Sequence, residues 1–338
     1  MELNQRMSTE PSAVRIPELH VPSSRLHAIR SGQTAVASRP TLVRVTGTGA
    51  VDCLQGLFTN DLTKPGVGRL SYGAFLTPKG MIVLDAWVIR LAEQLLIIAP
   101  TERRDALADY LRRQLPPRLA RSEDVSDTWG VRWLLGQHAI QAWRSVSPAT
   151  GVLAELTAAP DGEIFVARGP ALAPFAIVLA GPEKTLADID AKLDQADFTL
   201  GAADDLEAMR VLAGWPRVDR EIDDRTLPQE VRFDELRGVS YEKGCYVGQE
   251  TVARLHFRGH TNRILQGIVW DDPAPLESDV VTATDASAKV LGRVTSSVVV
   301  DDRRIGLGVI RREVQEGAAV RAGGVSAMVR ALPHATSD

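Results

Sequence analysis

Apolar residues along this chain recur in two periods, and the balance between them shifts near residue 263. Before that point, helical stripes at i, i+3, i+4 alternate with short apolar runs bounded by Gly, Pro, Asn or Asp. A strand is predicted over Thr41–Val45, leading into G-T-G-A. Val51, Leu54 and Leu57 or Phe58 then fall at helical spacing, which predicts a helix ending near Thr59-Asn60-Asp61. Gly80–Leu91 and Gln94–Ala99 are rich in strand formers and separated by Ala92-Glu93, the pattern of an antiparallel hairpin. Pro100 and Thr101 open an amphipathic helix whose stripe is Ala106, Leu107, Tyr110, Leu111 and Leu115, halted by Pro116-Pro117. E-I-F-V-A-R and F-A-I-V-L-A, between Glu163 and Ala180, predict two more strands, and helices follow at about 183–195 and 203–213.

From Ile264 onward, short apolar runs alternate with Gly, Asp and Pro: I-L-Q-G-I-V-W, K-V-L-G-R-V, S-S-V-V-V, R-I-G-L-G-V-I and A-M-V-R-A-L. This pattern predicts a small β-barrel attached to an α+β body. Residues 1–18 carry no sustained period and hold Pro11 and Pro17, so they are expected to form a disordered tail, with ordered structure starting near Arg25. The expected organisation is therefore a tail over 1–18, an α+β region over 19–262 and a barrel over 263–332.

Composition narrows the functional classes. The 338 residues are 44% hydrophobic and 24% charged, which suits a globular protein of two or three domains. A formal net charge of −4 gives no footprint for a phosphate backbone, so direct nucleic-acid binding is not expected. No run approaches the apolar length of a membrane span, and the first residues lack a basic-then-apolar signal, which points to a cytoplasmic protein without a membrane partner. Cys53 and Cys245 lie far apart and outside any C-x-x-C spacing, so neither a disulfide framework nor a metal site is expected.

The segment richest in chemistry is Y-E-K-G-C-Y-V-G-Q-E-T-V-A-R-L, Tyr241–Leu255. Gly244 and Gly248 permit a turn or a close approach, and Val252 and Leu255 with Glu250 near the start predict a helix from about Gly248. Cys245 then sits just before a helix N-terminus and two residues from Lys243, both of which favour a thiolate. The other reading of Cys245 is a small buried hydrophobe, and this is the reading taken for Cys53. On the strand Met81–Ile89, alternation sets Met81, Val83, Asp85, Trp87 and Ile89 on one face. An acid among such neighbours either meets a hydrogen-bonding ligand or partner, or lies at an edge and reaches water. Trp87 on the same face offers an aromatic wall to a planar ligand.

K-G-C-Y-V-G-Q-E, Lys243–Glu250, resembles the signature of the YgfZ family of folate-binding proteins, relatives of the glycine-cleavage T-protein. The likeness extends through W-P-R-V-D-R-E-I-D (Trp215–Asp223), L-P-Q-E (Leu227–Glu230), L-F-T-N-D-L (Leu57–Leu62) and T-P-K-G-M-I-V-L-D (Thr77–Asp85), and covers roughly residues 25–331. It implies an α+β, T-protein-like clover-leaf of three subdomains, with a central hole that receives tetrahydrofolate or a one-carbon derivative and a C-terminal β-barrel. It further implies an accessory role in assembly or repair of iron–sulfur enzymes, with those enzymes or their assembly factors as partners and tRNA modification as an indirect consequence. The alternative is a folate-dependent aminomethyltransferase or demethylase.

Asp85 matches the aspartate that T-proteins set beside the reactive nitrogens of folate, and with Cys245 it is the candidate catalytic residue. Trp87, Tyr72, Leu76 and Asn60 are candidates for the folate cavity, as are Lys243, Tyr246, Gln249, Glu250 and Arg254 of the signature region. For Asn60 and Asp61 a helix C-cap and turn is an equal account. T-proteins carry R-x-E-x-G where this chain has R-V-L-A-G, Arg210–Gly214, so Leu212 stands in place of a pterin-binding glutamate.

Overall fold

The structure, a computed structural model, describes residues 18–151 and 153–334. The expected tail falls, up to residue 17, outside the described residues. Regular structure starts earlier than Arg25: Leu19–His20 pairs in parallel with Val298–Val299, and Val21 is buried beside the barrel. A helix, Ser23–Ser31, follows.

Three sheets organise the chain. The first is antiparallel and five-stranded, in the order Arg69–Leu76, Ile82–Arg90, Gln94–Ala99, Thr41–Thr46 and Arg121–Asp124. Helices Ala50–Gln55 and Arg104–Gln114 cover one face, where Leu54, Leu107 and Leu111 pack on Leu84, Ala86 and Val88. The second sheet has six strands, in the order Thr199–Gly201, Thr34–Ser38, Trp129–Leu135, Ile177–Pro182, Ile164–Arg168 and Ala158–Asp161. Helices Ala139–Val146 and Glu183–Gln195 cover its outer face through Trp143, Leu186, Ile189 and Leu193. The inner faces of both sheets share one core that includes Leu70, Ile89, Val131, Trp133, Phe165 and Val178. Successive strands go to different sheets, Thr34–Ser38 to the second and Thr41–Thr46 to the first, so the two units are interleaved.

The third sheet is a closed barrel of six strands: Arg263–Trp270, Val280–Ala283, Val290–Val300, Arg303–Arg311, Ala319–Ala322 and Val325–Arg330. Pairing of Val290–Val300 with Arg303–Arg311 closes it around Ile268, Trp270, Val294, Ile310 and Val329. The runs K-V-L-G-R-V and S-S-V-V-V form one strand, bent by an irregularity between Val294 and Ser296. No helix among the described residues is long and apolar enough to cross a membrane.

Helix Ala203–Ala213 joins barrel to body. Asp205 accepts the Ala202 amide at its start and Gly214, at φ 65°, ends it. Its Ala208, Val211 and Leu212 pack on Leu265, Val298 and Leu307 of the barrel. The following segment, 215–239, has little regular structure, yet it sends Trp215, Val218, Ile222, Val231, Phe233 and Leu236 into the core between the sheets. The space at the centre of the three units is therefore partly filled by aromatic side chains.

Candidate functional site

The strand Ile82–Arg90 carries Asp85 into this centre. An irregularity opposite Phe75 and Leu76 breaks the expected alternation: Leu84 pairs with Phe75 and Ile82 with Leu76, leaving Val83 as the extra residue. Ile82 therefore joins the core of Trp87 and Ile89, and Val83 packs on the opposite one. Beyond the bulge the alternation holds, and Asp85 and Trp87 share a face.

A cavity of about 650 Å³ opens there, where all three units meet. The first sheet contributes Asp85 and Trp87, the second Trp133, and the barrel strand Thr295–Ser297; helix Ala203–Ala213 adds Glu207 and Arg210. Trp87 stacks on Trp215 with ring centres 5.3 Å apart, and Phe175 meets Trp87 edge-on at 5.1 Å. These rings give the cavity planar apolar walls.

Asp85 is 8% exposed. One oxygen, Oδ2, accepts the Tyr72 hydroxyl at 3.0 Å, while Oδ1 is buried with no protein partner. Burial raises the carboxyl to about 6; the Tyr72 bond and the nearby Arg210 charge oppose the rise only in part. An unpaired buried acceptor costs roughly 1–3 kcal/mol, so Oδ1 is a position that a water or a ligand group can complete.

The second charged feature of the wall was not anticipated from sequence. Arg210 is buried and fully engaged: Nε and Nη2 donate to Glu207 at 2.9 Å each, Nη1 to Glu221 at 2.9 Å and to the Trp215 carbonyl, and Nη2 also to Ser296 Oγ at 2.6 Å. Ser296 in turn donates to Glu221 at 2.7 Å, so this network ties the helix, the 215–221 segment and the barrel together. Arg210 and Arg217 hold Glu207 ionised, down to about 2, against the burial that would raise it. Carboxylates do line the cavity from this helix, but they belong to Asp204 and Glu207. Leu212 points into the helix–barrel core and is not part of the cavity wall. The signal in the sequence was Glu207 three residues before Arg210, together with the W-P-R-V-D-R-E-I-D segment that folds back on them.

The structure does not bring the signature region to this cavity. Lys243 is 7% exposed, and its Nζ donates to the carbonyls of Gln55 (2.6 Å), Phe58 (2.6 Å) and Asn60 (3.0 Å). Burial lowers it to about 8. This capture of carbonyls ends the Ala50–Gln55 helix short of the predicted Thr59-Asn60-Asp61 stop, and it turns the ammonium toward that chain end. Tyr246 is buried in the core beside Lys243, whose Nζ lies 5.0 Å from its ring centre. Gln249 is half-buried, and Glu250 and Arg254 are exposed on helix Gln249–Arg258. Cys245 is exposed and lines no cavity described here, and Cys53 is half-buried against the helix core.

Leu76 is fully buried away from the cavity. Asn60 donates to the carbonyls of Tyr72 and Arg237, and Asp61 Oδ1 accepts the amides of Thr63 and Lys64: both serve the turn. Gly248, at φ 83°, starts the 249–258 helix; a Cβ there would stand 2.6 Å from the Thr77 carbonyl, so K-G-C-Y-V-G-Q-E and T-P-K-G pack backbone to backbone.

With this geometry in view, the relatives are informative. A model of the GCVT N-terminal domain matches residues 35–157. The tRNA-modifying protein YgfZ of Vibrio vulnificus is 24% identical over 312 residues, which cover 88% of this chain and 90% of that one. YgfZ of Blochmanniella pennsylvanica is 25% identical over 67% of this chain and 68% of its own length. The chain belongs to the YgfZ family, within the aminomethyltransferase superfamily. A mitochondrial iron–sulfur cluster assembly factor of Mycosarcoma maydis is 26% identical over 64% of this YgfZ-family chain and 52% of the fungal one. Among solved structures, glycine cleavage system aminomethyltransferase T from Bartonella henselae superposes with a TM-score of 0.77 at 19% identity, covering 94% of this chain and 91% of that one, which establishes the shared fold.

Proposed function

We propose that this YgfZ-family protein binds tetrahydrofolate or a one-carbon derivative in the central cavity and from there supports assembly or repair of iron–sulfur enzymes in the cytoplasm. The observation that carries the reading is Asp85 Oδ1, a buried acceptor without a partner in an aromatic-walled cavity of about 650 Å³. The residues present fit a reduced folate. Asp85 offers an acceptor to pterin N–H groups, Trp87, Trp215 and Phe175 offer flat apolar surface, and Glu207 supplies a fixed carboxylate. Half-buried Arg220, which lines the cavity without an ion-pair partner among the described residues, suits the glutamate tail. When bound, tetrahydrofolate supplies nucleophilic nitrogens that take up a one-carbon unit.

The iron–sulfur part of the reading is supported by the fungal assembly factor among the relatives, and tRNA modification follows indirectly through iron–sulfur enzymes. Cys245, exposed and away from the folate cavity, is assigned to the surface that meets those enzymes or their assembly factors. A thiolate is a soft ligand and a nucleophile, whereas one thiol cannot hold a cluster in the usual four-thiolate manner.

Anaerobic calorimetry with tetrahydrofolate tests the cavity. Saturable binding that weakens at least about tenfold in Asp85→Ala is expected, as for loss of a charge-assisted hydrogen bond; absence of binding removes the folate reading. Complementation tests the role: Cys245→Ala is expected to bind tetrahydrofolate normally and to leave iron–sulfur enzyme activity unrestored in a strain lacking the protein. Robust turnover of a methylamine donor, abolished by Asp85→Asn, would instead establish a T-protein-like transferase.

A further inference from the structure

A second cavity, of about 510 Å³, lies back to back with the first. Trp87 lines both, and Tyr72 lines the second while its hydroxyl bonds Asp85 in the first. Leu70, Leu156, Leu236 and Val239 make much of the remaining wall apolar. Its polar groups divide by whether they are already used. Asp61 takes the amides of Thr63 and Lys64 and the side chains of Thr63 and Gln55 on Oδ1 alone, and these bonds outweigh burial to hold its carboxyl below the usual range. Asn60 is spent on two carbonyls, and Glu242 lies out in solvent opposite Lys64 at 3.7 Å. His256 stacks on Tyr241, with ring centres 3.6 Å apart, and faces Asp234.

Two guanidiniums are left over. Arg69 and Arg237 line the cavity, and neither side chain has a hydrogen bond or ion pair among the described residues. Arg69 Nε is buried with no acceptor. Each guanidinium is a fixed fork of donors that matches an oxyanion, and both residues line a cavity whose other walls are largely aromatic and aliphatic. Arg69 is half-buried and Arg237 exposed, whereas the fully buried Arg132 and Arg210 are paired, with Glu183 and Asp190 and with Glu207 and Glu221.

We propose that this second cavity is a binding site for a small molecule carrying a carboxylate or phosphate on a planar apolar body. The oxyanion pairs with Arg69 and Arg237, and the body lies against Tyr72 and Trp87. The two sites share Trp87 and differ in their arginines, because neither Arg69 nor Arg237 lines the first cavity.

Titration of the full-length protein with benzoate and with phenyl phosphate, followed through tryptophan fluorescence, tests it, with benzamide as the uncharged control. At least one anion is expected to saturate in the millimolar range or tighter and to bind roughly tenfold better than benzamide. The stronger of the two identifies the occupant as a carboxylic acid or a phosphate ester. Arg237→Gln, on an exposed turn, is expected to weaken that anion roughly tenfold with an unchanged melting temperature. Arg220→Gln removes the same group from the first cavity and is expected to leave anion binding within about twofold. Failure of both anions to saturate, equal binding of benzamide, or loss in Arg220→Gln rather than in Arg237→Gln would overturn the proposal.

Discussion

Asp85 and Lys243 are both buried, both charged in water, and both set in segments that resemble the family's, yet they are held in opposite ways. Lys243 gives its three donors to three backbone carbonyls and closes the end of a helix. Asp85 has one oxygen on Tyr72 and the other on nothing. The lysine is a completed structural bolt, and the carboxylate keeps one acceptor unused. Polar satisfaction separates the two where motif membership does not, since K-G-C-Y-V-G-Q-E is the more distinctive stretch of sequence and lies outside the cavity.

The contrast can be broken at either residue. Removing the lysine should have the largest effect. Lys243→Met leaves three carbonyls without their donor and is expected to cost about 3 kcal/mol, read as a lower urea midpoint at unchanged slope. Asp85→Asn should go the other way. The carboxyl titrates near its ordinary 3.8 in the unfolded chain and at about 6 in the fold, so the folded state holds the extra proton between those values. Its contribution is therefore intact below the unfolded value and is lost as pH rises through 6. At about pH 7.5 the variant should be more stable by about 2 kcal/mol, a gain that vanishes near pH 4, while tetrahydrofolate affinity falls.

Ser296→Ala removes one bond to Arg210 and one to Glu221 and is expected to cost about 1 kcal/mol, measured by thermal melting. Cys245→Ser, at an exposed position, should change stability by less than about 0.5 kcal/mol while abolishing complementation, which keeps the thiol's role apart from folding. Asp85→Asn failing to stabilise at neutral pH would erase the contrast, and Lys243→Met leaving stability intact would do the same from the other side.

Much of the fold was legible where apolar runs are bounded by Gly or Pro. The hairpin at Ile82–Ala99 and the helices at 183–195 and 203–213 lie where the pattern put them. Strand Trp129–Leu135 went unread because Arg132 interrupts it, and its burial is made possible by Glu183 and Asp190 on a helix about fifty residues away in sequence. Strand Arg69–Leu76 was masked by Gly73, where a Cβ would meet Phe58 at 2.7 Å. The barrel strands Val280–Ala283 and Ala319–Ala322 are too short to show a period.

The site was legible at Asp85 and Trp87, because a charge on an apolar strand is anomalous in any context. Glu207, Arg210, Trp133 and Ser296 were not, since the cavity is assembled from units far apart in the chain and their meeting depends on the 215–239 segment folding between the sheets. Lys243, Tyr246, Gln249, Glu250 and Arg254, the signature-region candidates for folate, do not line the central cavity, and there is a physical reason for the motif besides a ligand: a lysine and two glycines can mark a position because the backbone there needs them.

The most direct test follows the Asp85 carboxyl itself by carbon-13 NMR through a pH titration, with and without tetrahydrofolate. A midpoint of about 6 is expected in the free protein, with a clear downward shift when ligand N–H groups reach Oδ1 and favour the ionised form. A midpoint at the ordinary carboxyl value, unmoved by saturating tetrahydrofolate, would contradict both.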